Sequence, residues 1–117
     1  MKGCAKTHSL HLRLVRTNMF DEEMAIVTAE AYAKGDNSTR HQFSGYFNDM
    51  WRENILSKDI NPEESLLGFR KLHELMNVQK EGFEKSGKVF AVRHTEDFIK
   101  RIDEMIEKLE ESQTQTE

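Results

Sequence analysis

The chain has 117 residues, of which 32% are charged, with one cysteine and a formal net charge of −4. That length fits one domain, 1–117, able to bury a core without staples, and a single Cys excludes an internal disulfide. No apolar run reaches the length of a membrane span, mean hydropathy is −0.74, and Met1-Lys2-Gly3-Cys4-Ala5-Lys6 lacks the apolar centre of a signal peptide. A soluble, cytoplasmic protein with no membrane partner is expected.

The charge is unevenly spread. Residues 1–18 carry Lys2, Lys6, Arg13 and Arg16 and no acid, whereas residues 95–117 carry eight acids against Lys100, Arg101 and Lys108. A basic arm of this kind is suited to an anionic partner, or is a solvated terminus.

Residues 8–15 read His-Ser-Leu-His-Leu-Arg-Leu-Val. Leu10, Leu12 and Leu14 alternate with Ser9, His11 and Arg13, the period of a half-buried strand with one apolar and one polar face. A lone strand leaves its backbone donors and acceptors unpaired, so it is expected to meet a partner, such as the same strand of a second copy.

Helices follow. Asn18 is a candidate N-cap, Asp21, Glu22 and Glu23 suit the positive end of a helix, and Phe20, Met24, Val27 and Ala31 recur at helical spacing. This predicts a helix over about 19–34, closed by Lys34 and by Gly35 in the left-handed position. Asp36-Asn37-Ser38-Thr39 offers caps for a second helix ending near Ser57, with Phe43, Phe47, Met50 and Trp51 on one stripe and Gly45 inside. Asn61-Pro62-Glu63-Glu64 starts a third over about 62–85, with Pro62 at the first helical position and Gly87 as its stop. Lys88 to Arg93 fits a short strand, a helix or an extended connector. Thr95 is then a cap for a final helix with Phe98, Ile102, Met105 and Leu109 on its face, and 113–117 reads as a frayed tail. The fold class is mainly α: four helices after an N-terminal strand, with at most two short strands.

The chemistry-bearing residues form no strong signature. Five histidines are present, but His8 and His11 fall on opposite faces of a strand, His41 and His73 lie on different helices, and His94 with Asp97 supplies only two ligands. No metal and no cofactor is therefore expected. Cys4 reads as a free thiol on a terminus. The pairs Glu22-Glu23 and Glu63-Glu64 sit at helix starts, where the dipole accounts for them. With no phosphate loop or nucleophile motif, no catalytic residue is assigned and the chain is not expected to be an enzyme. The aromatic stripe reads mainly as core, and in part as a dimer interface.

The order strand, helix, turn, helix over residues 7–57 resembles the ribbon-helix-helix family of DNA-binding repressors. Leu10-His11-Leu12-Arg13-Leu14 resembles its strand and Gly35-Asp36-Asn37-Ser38 the turn before its second helix. The resemblance implies a twofold dimer whose paired strands enter the major groove. Ser9, His11 and Arg13 would then face bases, with Lys6, Arg16 and Arg40 at phosphates and a further phosphate at the amides of the turn around Ser38. Leu10, Leu12, Leu14, Phe43 and Phe47 would form the dimer interface. Residues 58–112 would be an added helical extension for oligomerisation or partner binding. The expected function is that of a small DNA-binding dimer, a transcriptional regulator or plasmid or phage accessory factor. The alternative is a helical protein-interaction module, such as an inhibitor of a host protein, that displays its acidic C-terminal helix or an aromatic face and binds no nucleic acid.

Overall fold

A computed structural model describes residues 20–55 and 61–116, and among them every regular element is a helix. The four are α1 (Glu22–Lys34), α2 (Asn37–Ile55), α3 (Pro62–Lys85) and α4 (Val89–Thr116). Lys6, Ser9, Leu10, His11, Leu12, Arg13, Leu14 and Arg16, with the strand they were expected to form, lie outside the described residues.

Local chemistry sets the helix ends. α1 is capped by Asp21, whose carboxylate accepts from the Met24 N–H at 2.9 Å, with Glu22 and Glu23 in the first turn. The start is thus at Glu22 rather than near Asn18. α3 begins as the sequence predicts: Asn61 Oδ1 accepts from the N–H groups of Glu63 and Glu64 at 3.1 and 3.2 Å, with Pro62 at the first position. It ends at Gly87, whose φ of +69° is the left-handed conformation that favours glycine. The Lys88 N–H returns to the Phe83 carbonyl at 2.9 Å and the Gly87 N–H to Glu84 at 3.1 Å, the paired closure of a Schellman turn.

Three expectations are corrected. Gly35 does not take the left-handed position; it is extended (φ −80°, ψ 171°), because α2 starts two residues later and the chain must leave α1 directly. Of the three conformations open to residues 88–93, residues 89–93 take the helical one as the start of α4, and Thr95 is an interior residue rather than a cap. Its hydroxyl donates to the Ala91 carbonyl one turn back at 2.7 Å. The proton of Tyr32 then makes the 3.2 Å contact between the two hydroxyls, which ties the end of α1 to α4. Burial pushes the Tyr32 hydroxyl above its ordinary pKa, so it stays a donor at neutral pH. The expected frayed tail is also helical as far as Thr116.

Among the described residues the four helices run alternately up and down. α3 and α4 pack antiparallel along most of their length, α1 lies on α3, α2 lies on α4, and α1 barely touches α2. Cross-links fix this order: Gln79 Nε2 donates to the Ala29 carbonyl (2.7 Å), Arg70 meets Glu110 (3.0 Å), and His73 Nε2 meets Asp103 (2.9 Å). One continuous core draws Phe20, Met24, Ala29 and Tyr32 from the α1 side, Phe47 and Trp51 from α2, Phe69, Leu72 and Met76 from α3, and Phe98, Ile102, Met105 and Leu109 from α4. Its centre is aromatic: Phe20 stacks on Phe69 at 4.6 Å and meets Phe47 and Trp51 edge-on at 5.4 Å each.

Candidate functional site

Two turns lie side by side at one end of the bundle: Gly35-Asp36 between α1 and α2, and Ser86-Gly87-Lys88 between α3 and α4. A groove of about 540 Å³ opens between them, lined by Asp36, Asn37, Arg40, Lys88, Val89 and Phe90, with Gly35 and Gly87 keeping its walls low. Val89 and Phe90 are adjacent, 62% and 63% exposed, in the first turn of the longest helix. They stand there because the buried stripe of α4 starts one residue later, at Ala91, and runs through Thr95, Phe98 and Ile102. Lys88 is exposed beside them, and the first turn of α4 carries no acid of its own, the one carboxylate in the groove lining being Asp36 of the other turn.

Arg40 forms the floor and is corrected as a phosphate contact. It is only 7% exposed, and its guanidinium donates to Asn37 Oδ1 (3.0 Å) and to the Ala33 carbonyl (3.3 Å). Its charge lies 4.8 Å from the centre of the Phe83 ring and 5.9 Å from that of Tyr32. Ala33 lies in the last turn of α1, where carbonyls lack helical partners, so Arg40 closes that end and staples α1 to α2. Ser38 is exposed on the first turn of α2. Asp36 shares the turn, however, and its carboxylate already accepts the Thr39 N–H at 2.8 Å.

That hydrogen bond holds the Asp36 carboxyl below its ordinary range; the Thr39 hydroxyl and the Arg40 charge act the same way. A lowered folded-state pKa contributes stability that is complete above the unfolded value and is lost as pH falls through the folded one. Asp36→Asn keeps an acceptor for Thr39 but cannot titrate. Below about pH 4 the stability gap between wild type and Asp36→Asn should therefore narrow. Urea unfolding of both at pH 5 and pH 3 measures it, and a constant gap would show that the cap does not form.

Phe43 and Phe47, expected at a dimer interface, are placed in the core of one chain: Phe47 is 1% exposed, and Phe43 packs half-buried against Tyr32, Phe47 and Phe98. Tyr46, which neighbours that stripe on α2, is exposed. Two other surface features are polar. The starts of α1 and α3 bring Asp21, Glu22, Glu23 and Glu64 together beside Leu67. A second cleft runs between α2 and α4, with Gly45, Asn48, Asp97 and Arg101 among its walls. Among the described residues no three of His, Cys, Asp and Glu come together in a group that could hold a metal ion, and no helix is long and apolar enough to cross a membrane. No family model, curated protein or solved structure matches the chain. Val89 and Phe90 were not singled out by the sequence as a surface; the signal was available in the spacing 91, 95, 98, 102, which leaves 89 and 90 off the buried stripe.

Proposed function

We propose that this chain is a helical protein-interaction module, and that it receives its partner in the groove between the two turns. The observation that carries this reading is the pair Val89 and Phe90, two adjacent large apolar side chains more than half exposed at a groove wall. A monomer gains nothing from holding them in water, and a contiguous apolar pair rimmed by polar groups is what a docking anchor looks like. Lys88 and the open positive end of α4 favour a partner segment that is acidic as well as apolar.

The DNA-binding reading rests on residues 6–16, outside the described part, and on a twofold core built from the first two helices. The burial of Phe47 against Phe20, Phe69 and Phe98 of the same chain supports the interaction reading over it, because those helices need no second copy to cover their apolar faces.

A photo-crosslinking residue placed at position 90, and at position 67 as an exposed control elsewhere on the bundle, tests this in the source cells. Position 90 is expected to yield a discrete protein adduct that Lys88→Glu weakens at least tenfold, while position 67 yields none. Purified chain at low salt is expected to leave random-sequence duplex DNA unbound. Equal adducts from both positions, or salt-dependent duplex binding, would overturn the proposal.

A further inference from the structure

We infer that His41 and His94 form a two-histidine site for a divalent transition-metal ion of the zinc, copper and nickel group, joining α2 to α4. α2 and α4 run parallel, and each histidine sits in the second turn of its helix, so the rings arrive at the same level. Their centroids are 5.6 Å apart and their planes differ by 58°. An ion 2.0–2.1 Å from one nitrogen of each ring lies about 3.2 Å from each centroid. At that distance, centroids 5.6 Å apart subtend about 120° at the ion, near the tetrahedral angle.

The two rings are also free to bind. Among the described residues neither ring has a hydrogen bond or an ion pair, and each contacts the other. His73 is the contrast: its Nε2 meets Asp103 at 2.9 Å and its Nδ1 lies 3.1 Å from Asn77. His41 is exposed and His94 half-buried, so the ion enters from solvent without opening the core. Of the carboxylates that follow His94 on α4, Glu96 is held by Lys80 at 3.5 Å and Asp97 by Arg101 at 3.1 Å. Water therefore completes the coordination shell, as the lack of a third protein ligand requires. Imidazole nitrogens suit zinc, copper and nickel better than magnesium or calcium, and copper is expected to bind most tightly. This site lies one turn along α4 from Phe90, and it does not depend on the role of the groove.

The test titrates zinc chloride and copper sulfate into the full chain, read by calorimetry and by thermal unfolding. One ion per chain is expected, with a rise in Tm at saturation because the ion binds the folded state. His41→Ala and His94→Ala, each folded by circular dichroism, should each lower affinity at least tenfold and remove most of that rise. Magnesium should give no rise in any variant. Cys4, His8 and His11 lie outside the described residues and bring donors of their own, so the variant Cys4→Ser/His8→Ala/His11→Ala is titrated alongside. It should keep the rise in Tm. The inference falls if neither ion raises Tm, or if His41→Ala and His94→Ala respond as wild type does.

Discussion

Phe47→Ala is expected to lower stability by about 3–5 kcal/mol, with a loss that does not depend on protein concentration. The size follows from the site. Phe47 is 1% exposed and lies against the rings of Phe20, Trp51, Phe69 and Phe98, so truncation removes its transfer energy and leaves a cavity that stacked rings cannot collapse to fill. Against a total of about 5–15 kcal/mol for a domain, that is a large share. At about 4 °C per kcal/mol it lowers Tm by roughly 12–20 °C. The concentration test separates two architectures. If Phe47 closed a dimer core, the variant would dissociate, and its Tm would climb with protein concentration. If it closes the core of one chain, Tm is the same at 5 and at 200 μM, in wild type and variant alike. Thermal unfolding at both concentrations, beside a sedimentation mass, decides this; a concentration-dependent Tm would restore the twofold core.

Much of the fold could be read from the chain where local chemistry alone fixes it. Asn61-Pro62-Glu63-Glu64 starts α3 and Gly87 ends it, because each residue acts through its own backbone or the next turn. The errors fall where a distant contact decides. Thr95 looks like a cap in a list of residues, since a hydroxyl before Glu96 and Asp97 matches that pattern. In the fold it is buried, because its hydroxyl satisfies Ala91 and receives Tyr32, far away in sequence. Val89, Phe90 and Val92 carry strand propensity, yet they are helical because Ala91 and Thr95 extend the stripe that α4 lays on the core.

The candidate site was less legible still. Arg40 reads as a solvent-facing cation ready for phosphate, and nothing near it in sequence indicates otherwise. Its burial depends on Phe83, at the far end of α3, which provides a ring for the guanidinium. The groove likewise exists only because two turns distant in sequence come together. The pairing of His41 with His94 has the same cause: each is an isolated histidine until parallel packing of α2 and α4 sets them side by side. Periodicity describes one helix at a time, whereas sites between helices depend on which helices become neighbours.

Gly68→Ala is the second large effect, and its sign opposes helix propensity. Alanine in a helix interior is better than glycine by about 1 kcal/mol, and Gly68 lies inside α3. A Cβ placed there, however, would stand 2.7 Å from Phe20 Cδ1 and 2.8 Å from the carbonyl oxygens of both Phe20 and Asp21. None of the three has room to yield. The Phe20 ring is fixed between Phe69, Phe47 and Trp51, and the Asp21 carbonyl already accepts the first helical hydrogen bond of α1 from Ala25 at 3.0 Å. Moving it would also disturb the Asp21 cap on Met24. Overpacking of this kind costs about 1–3 kcal/mol, and two of the clashes are with backbone, which puts the expected loss at the upper end. Gly82 supplies the control in the same helix: a Cβ there meets nothing within 4 Å, so Gly82→Ala should gain about 1 kcal/mol. Urea unfolding of both variants gives opposite signs if α1 rests on α3 through bare backbone at residue 68. Equal stabilisation by the two alanines would mean that α1 does not rest there, and the covering of its apolar face by the same chain would have to be abandoned with it.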